Sequence, residues 1–190
     1  MDIFVKKYGK SCVSIHGGTK MEDRQNNVEA FQNDENIKGI SILNNNSSLG
    51  MAQSKAVRNA LEDFKKSGKF VMAYANSFSQ KEYYLNSVAN TVYINPAGDF
   101  DFKGLSAEIM FFKDFQDKTG VKMEVIRHGK YKSAVEPFFR ENMSDSARLQ
   151  TERYIGGIWE EIRKDIGKDR SISIEKLNEL AEKASILDVN

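Results

Sequence analysis

The segment Gly129–Phe138, with the sequence GKYKSAVEPF, lies between a strand-like run, Val121 to Ile126, and a helix that begins near Ser144. It is therefore predicted to be a loop at the C-terminal edge of a sheet, where α/β proteins usually bind their ligands. Lys132 is the residue of interest in this loop. Its amine is either solvated, as in most lysines, or desolvated and able to act as a base.

The composition excludes several functional classes. The chain has 190 residues, with 28 Lys and Arg against 27 Asp and Glu, so it lacks the basic field of most nucleic-acid binders. Cys12 is the only cysteine, which excludes an intrachain disulfide. Apolar runs such as Phe70 to Ala75 are far shorter than the ~20 residues of a membrane span, and the sequence shows no signal peptide or anchor. We expect a soluble fragment.

Strand and helix patterns alternate along most of the chain. Apolar runs predict strands at Lys38–Leu43, Phe70–Ala75, Thr91–Ile94 and Lys122–Arg127. Helical periodicity predicts helices at Met21–Gln32, around Val57–Phe64 with Gly68 at the C-terminal end, at Gln80–Ala89, at Ala107–Asp117, from an N-cap at Ser144 to about Gly167, and at Ser173–Ala184. This order and spacing predict right-handed crossovers and a parallel sheet.

The two ends of this pattern differ. Residues 1–20 have no sustained periodicity and contain three glycines, so we expect an irregular arm or the remnant of something longer. Residues 21–190 are expected to form one α/β domain with a C-terminal helical extension.

Few residues suit the common catalytic arrangements. His16 lies in the arm and His128 ends the predicted fourth strand, where a hydrogen bond to the backbone is expected in preference to a chemical role. No metal-ligand spacing and no phosphate-binding glycine loop occurs, so no metal or cofactor is expected. A Ser/Lys dyad needs neither, because a desolvated lysine can deprotonate a serine hydroxyl. Lys132 is the candidate base.

A resemblance to a known family appears at this loop. Gly129–Phe138, followed by Arg140–Ser144 and Arg148, resembles the lysine motif of the signal peptide peptidase A, or protease IV, family. The similarity covers about Met21 to Asn190. Its further matching segments are Gly39–Ile40, Phe64–Lys69, Tyr83–Leu85, Asn95–Gly98, Phe102–Leu105, Val125–His128 and Ile155–Glu160.

The resemblance implies both a fold and a function. The implied fold is the ClpP/crotonase-like spiral of β-β-α units with a mostly parallel sheet. The implied activity is that of a Ser/Lys endopeptidase that degrades cleaved signal peptides at the extracytoplasmic side of the cytoplasmic membrane, as a ring-like homo-oligomer attached through a segment outside this chain. Lys132 would be the general base.

The same resemblance exposes what this chain lacks. Family members place the serine nucleophile in a small-residue turn after the second strand, but Gln80 stands at that position here and Ser79 lies one residue early. The Pro-Gly-Gly-like turn that provides an oxyanion hole is replaced by Asn46–Gly50. This pattern resembles the N-terminal, lysine-bearing repeat of the long two-repeat form, whose serine lies in the C-terminal repeat. By itself the chain is then expected to be inactive.

Other interpretations remain open. Ser133 is adjacent to Lys132, but neighbouring side chains on an extended backbone point to opposite faces, which disfavours it as the nucleophile. Ser79 could be a displaced nucleophile. The departures at Gln80 and Leu49 also suit a non-catalytic repeat kept for oligomer assembly or for lining a peptide groove. A crotonase-like acyl-CoA binder is disfavoured, since no glycine-rich thioester turn is evident.

Overall fold

The computed structural model describes residues 2–6, 12–15, 28, 30–43, 49–126, 128–129 and 131–183. The chain divides into two compact units. Met1–Gly104 and Ile162–Asn190 form the first, here called the sheet unit, and Leu105–Glu161 form the second, called the lysine unit. The residues expected to form one domain, 21–190, are thus shared between two units.

A five-stranded sheet organises the sheet unit. Its strands are β1 (Asp2–Lys6), β2 (Cys12–Ile15), β3 (Gly39–Leu43), β4 (Phe70–Ala75) and β5 (Thr91–Ile94), in the order β2-β1-β3-β4-β5. The predicted parallel arrangement is confirmed for β3, β4 and β5, whereas β1 runs antiparallel to both β2 and β3. The expectation that residues 1–20 are irregular throughout is wrong for these first two strands.

The core of the sheet unit comes from the periodicities seen in the sequence. β4 alternates between buried and less buried positions, and Val71, Ala73 and Ala75 are fully buried. Helix α1 (Met51–Lys66) packs an apolar face that includes Leu61 and Phe64, both inaccessible to solvent. Gly68 follows with a φ of +82°, so the predicted glycine at the end of this helix is confirmed.

Four further α-helices follow α1 along the described chain. Helix α2 (Gln80–Asn86) is shorter than predicted, and α3 (Lys113–Thr119) lies in the lysine unit. Helix α4 (Asp145–Arg170) contributes residues to both units, and α5 (Ile174–Lys183) follows it in the sheet unit. None of the helices within the described ranges is both long and apolar enough to span a bilayer.

A buried arginine ties α1 to α2 and α4 within the sheet unit. The guanidinium of Arg58 is 1% exposed and donates to the carboxylate of Asp169, to the Tyr84 carbonyl and to Ser87 Oγ, the last at 2.7 Å. Asp165 accepts from Lys55 Nζ at 2.6 Å and from Tyr84 Oη at 2.7 Å. A buried charge needs such partners, because desolvation would otherwise outweigh its attractions.

The lysine unit departs from the predicted pattern in two places. Residues 122–126 of the predicted fourth strand have no strand structure, and residue 127 lies outside the described range. The alternation V-K-M-E-V-I favours an extended chain, but a strand forms only against a partner ladder. The helix predicted at Ala107–Asp117 begins at Lys113 instead, and Ile109 and Met110 are exposed. An uncovered apolar face does not supply the packing that stabilises a short helix.

Candidate functional site

The predicted loop around Lys132 is a tight turn that leads into a short helix. Gly129 has a φ of +85°, a conformation that glycine adopts readily. The backbone N–H of Lys132 points to the Gly129 carbonyl at 3.4 Å, and a 3₁₀ helix (Ser133–Phe138) follows immediately. Lys132 therefore precedes the first turn of this helix. Lys130 of the same motif lies outside the described residues.

The side chain of Lys132 is exposed in the isolated chain and lines an open groove. The groove has a volume of about 490 Å³. Its other walls include Ile126, His128, Tyr131 and Gln150. Among the described residues, Lys132 forms no ion pair. An exposed amine can contact a second protein surface, and the open groove can accommodate side chains from that surface.

The two other sequence candidates in this groove have modest surroundings. The Ser133 hydroxyl lies 3.5 Å from Gln150 Oε1, at the outer limit of a hydrogen bond. His128 is exposed, and the predicted strand that it would end is not formed in residues 122–126. Neither geometry gives these residues a defined chemical role.

A buried glutamate fixes the loop from behind. Glu136 is 2% exposed, and its carboxylate accepts hydrogen bonds from Ser144 N at 3.0 Å and from Ser144 Oγ at 2.7 Å. Ser144 Oγ in turn accepts from Ala147 N at 3.2 Å, which confirms the predicted N-cap of α4. The Glu136 contact was not predicted, because no local rule pairs residues eight apart. A glutamate beside Pro137 and Phe138 in an apolar stretch was the available signal.

Gln80, at the predicted nucleophile position, is fully engaged within the sheet unit. Its Oε1 accepts from the backbone N–H groups of Lys103 and Gly104 at 3.1 and 2.8 Å, and its Nε2 donates to the Gly104 carbonyl at 3.0 Å. Gly104 has a φ of +83°. The Gln80 amide therefore holds the backbone at residues 103 and 104 by hydrogen bonds. A serine at position 80 would have a hydroxyl in place of this amide.

The residues that precede Gly104 also pack closely against the turn that follows β4. Phe78 N donates to Asp99 O and Asp101 N donates to Phe78 O, both at 2.9 Å. A Cβ atom at Gly98 would overlap the carbonyl oxygen of Asn76, so only glycine fits there. The turn after β4 is thus hydrogen-bonded to residues 99 and 101 through Phe78 and packed against Gly98 at Asn76.

Ser79, the alternative nucleophile, caps helix α2. Its Oγ accepts from Glu82 N at 3.4 Å and Glu82 Oε2 accepts from Ser79 N at 3.0 Å, which forms a capping box, and the hydroxyl also donates to Glu82 Oε2 at 2.8 Å. This hydroxyl is committed to local structure. Of the segment Asn46–Gly50, which stands in place of the family's oxyanion turn, residues 46–48 lie outside the described range.

Comparison with known proteins decides the family. The model of Peptidase family S49 matches residues 63–188, well over half of the chain. The chain belongs to peptidase family S49. The resemblance to the signal peptide peptidase A, or protease IV, family is thereby confirmed.

Curated relatives of this S49 chain carry related names. The sequence is 36% identical over 151 residues to Protease 4 of Haemophilus influenzae and 36% identical over 156 residues to Protease 4 of Salmonella typhi. These alignments cover 79% and 82% of the chain and 25% of each relative. It is also 29% identical over 131 residues to the chloroplastic serine protease SPPA of Arabidopsis thaliana, covering 69% of the chain and 19% of that relative. The chain spans about a quarter of the length of its bacterial relatives.

Lys132 and Gln80 have different surroundings in the S49 chain. The Lys132 amine is exposed on a loop anchored by Glu136, whereas the side-chain amide of Gln80, at the predicted nucleophile position, is hydrogen-bonded to the backbone of Lys103 and Gly104. Lysine can take a proton from a hydroxyl, but a carboxamide is not a nucleophile in acyl transfer. Any hydroxyl that reacts with the help of Lys132 must therefore be different from the residue at position 80.

Proposed function

We propose that this chain is the lysine-donating domain of a Ser/Lys endopeptidase, and that its serine lies in a C-terminal repeat of the same protein. The exposed amine of Lys132 on its anchored loop is the observation that carries the proposal. Membership of family S49 and the GKYKSAVEPF motif support it. The bound Gln80 amide supports the placement of the serine elsewhere.

Lys132 would serve as a base and then as an acid. Its neutral amine takes the proton of the serine hydroxyl as the serine oxygen attacks the peptide carbonyl carbon. The resulting ammonium then gives that proton to the leaving amine nitrogen as the peptide bond breaks. The C-terminal repeat would also cover the Lys132 amine and exclude water, since a solvated amine stays protonated at neutral pH.

The wider assignment follows from the family. We infer a ClpP/crotonase-like spiral completed by the second repeat, with a homo-oligomer attached to the cytoplasmic membrane and working on its extracytoplasmic side. Signal peptides released from preproteins are the proposed substrates. The three parallel strands and their connecting helices are compatible with this fold.

Replacement of Lys132 in the full-length protein tests the proposal. Lys132→Ala should abolish turnover of a quenched-fluorescent apolar peptide while folding and assembly stay intact, because no other group replaces the base. Lys122→Ala, which removes another exposed lysine of the same unit, should retain turnover. Normal turnover by the Lys132→Ala protein would refute the assignment.

A second candidate function is a non-catalytic repeat kept for assembly or for lining a peptide groove. The hydrogen bonds between the Gln80 amide and Gly104 favour it, as does the exposure of Lys132 in the isolated chain. The same experiment separates the two candidates. A scaffold predicts that Lys132→Ala is silent in turnover, and that only substitutions that break assembly reduce activity.

A further inference from the structure

The buried polar side chains of the lysine unit converge on one short element. Among its described residues, Gln116 and Glu136 are the buried polar ones, at 9% and 2% exposure. Both bind at the 3₁₀ helix that follows Lys132. Gln116 Nε2 donates to the Phe138 carbonyl at 2.7 Å, and Glu136 belongs to the helix itself.

Apolar and backbone contacts hold the same helix from its other side. Phe112 N donates to the Pro137 carbonyl at 2.7 Å, and the rings of Phe112 and Phe138 stack with their centroids 6.0 Å apart. Residues 137 and 138 are thus fixed by α3 and the residue before it. The contacts of Phe112 and Gln116 bind the C-terminal end of the 3₁₀ helix, and the carboxylate of Glu136 connects it to the start of α4.

Glu136 binds α4 at the place where that helix begins. Ser144 donates both its backbone N–H and its hydroxyl to the carboxylate, and the hydroxyl also caps Ala147 N. Turning this buried carboxylate away from Ser144 would forfeit both hydrogen bonds, which is costly in a site that water does not reach. The start of the 26-residue helix α4 therefore fixes the 3₁₀ helix that follows Lys132.

We propose that Glu136 is a positioning residue for Lys132: through Ser144 it fixes the 3₁₀ helix so that the Lys132 amine stands where the serine hydroxyl must meet it. The inference rests on the proposed function of Lys132. A base must lie within hydrogen-bond reach of the proton that it removes. A displacement of about 1 Å is enough to reduce a rate roughly 100-fold.

Four variants of the full-length protein test this role on the same apolar peptide. Glu136→Ala removes both bonds to Ser144, and kcat should fall about 10- to 100-fold with KM changed less than about twofold. Glu136→Gln can accept from Ser144 N and donate to Ser144 Oγ, so its kcat should stay within about threefold of wild type. Ser144→Ala keeps the N–H bond and should fall between the two. Glu152→Ala, an exposed glutamate of α4, is the matched control.

The readouts separate positioning from simple destabilisation. Rates are compared per folded molecule, with the folded fraction taken from circular dichroism at the assay temperature. The pH profile of kcat for Glu136→Gln should match that of wild type, because the proposed role is geometric. A shifted profile, or a Glu136→Gln rate as low as that of Glu136→Ala, would overturn it in favour of a charge effect.

The remaining outcomes are also decisive. A Glu136→Ala protein with a wild-type kcat, or one reduced only in proportion to its folded fraction, overturns the inference while an inactive Lys132→Ala protein leaves the proposed function standing. An active Lys132→Ala protein overturns both. If Glu136→Ala does not fold, Ser144→Ala decides: a lowered kcat with unchanged KM supports the role, and an unchanged kcat contradicts it.

Discussion

The two compact units differ in what their burial achieves. In the sheet unit, strands and helices enclose a continuous apolar core, and side chains such as Leu61 and Phe64 are wholly buried. In the lysine unit, Met110, Phe115 and Tyr154 are between 62% and 74% exposed. The buried polar side chains of this unit instead form hydrogen bonds at the 3₁₀ helix that follows Lys132. Stability and the proposed chemistry thus depend on different residues, so substitutions should separate them.

A matched pair of phenylalanine truncations should show the largest contrast. Phe64→Ala opens a cavity in the core and should lower the free energy of unfolding by about 3–5 kcal/mol. Phe115→Ala removes an exposed ring and should cost less than about 1 kcal/mol. Urea titration of the 190-residue chain, followed by circular dichroism, measures both. Similar losses at the two sites would contradict the contrast between the units.

Truncation of Gln80 should have an intermediate effect. Gln80→Ala leaves the N–H groups of Lys103 and Gly104 without their acceptor, at a cost of about 1–3 kcal/mol in unfolding free energy. Gln53→Ala is the control, because within the described ranges Gln53 Oε1 accepts a single N–H, that of Gly50, at 3.0 Å near the start of α1. Its cost should be about 1 kcal/mol or less. A larger loss of unfolding free energy for Gln53→Ala than for Gln80→Ala would show that the hydrogen bonds of Gln80 contribute little to stability.

Acid should reveal the charge network of the sheet unit as a smaller effect. Burial pushes the pKa of Asp165 upward, but hydrogen bonds from Lys55 and Tyr84 and the charge of Arg58 outweigh it and hold the pKa below its usual value of 3.8. A carboxylate with a lowered pKa stabilises the fold above its unfolded pKa, and this stability is lost as the pH falls through the folded pKa. Unfolding free energy should therefore decrease below about pH 4.

An exposed carboxylate provides the control for this pH dependence. The pKa of Glu179 is lowered to about 2 by hydrogen bonds from Lys183 and Lys176, but the group is exposed and solvent screens its ion pairs. Asp165→Asn should flatten the decrease below pH 4 more than Glu179→Gln does. Urea titrations at pH 7 and pH 3 make the comparison. An equal flattening in both variants would contradict a special role for the Asp165 network.

Regular periodicity made the sheet unit predictable. β4 and β5 have the predicted bounds, and Gly68 was identified as a helix-terminal residue from local chemistry alone. Local sequence rules suffice where the core that they imply is present in the same chain. The pairing of β1 with β3 was missed, because the arm has no pattern that indicates a partner far along the chain.

The lysine unit shows the limit of such rules. Residues 122–126 have the alternation of a strand but no ladder, and residues 107–110 have helical spacing but are exposed. Arg58, Gln116 and Glu136 were missed because their partners are long-range, and no spacing rule indicates a contact between Arg58 and Asp169. Lys132 was predicted from its motif, whereas the contacts that hold its loop are visible only in the structure.

Chemical restoration of the amine at position 132 tests the central claim most directly. In the full-length protein, with Cys12 and every other native cysteine replaced by serine, Lys132→Cys should be inactive. Aminoethylation of the new thiol, which rebuilds a side chain of nearly the same length with a terminal amine, should return peptide turnover, and carbamidomethylation should not. Equal turnover of the cysteine protein before and after aminoethylation, with complete modification shown by mass spectrometry, would contradict the assignment of Lys132 as the base.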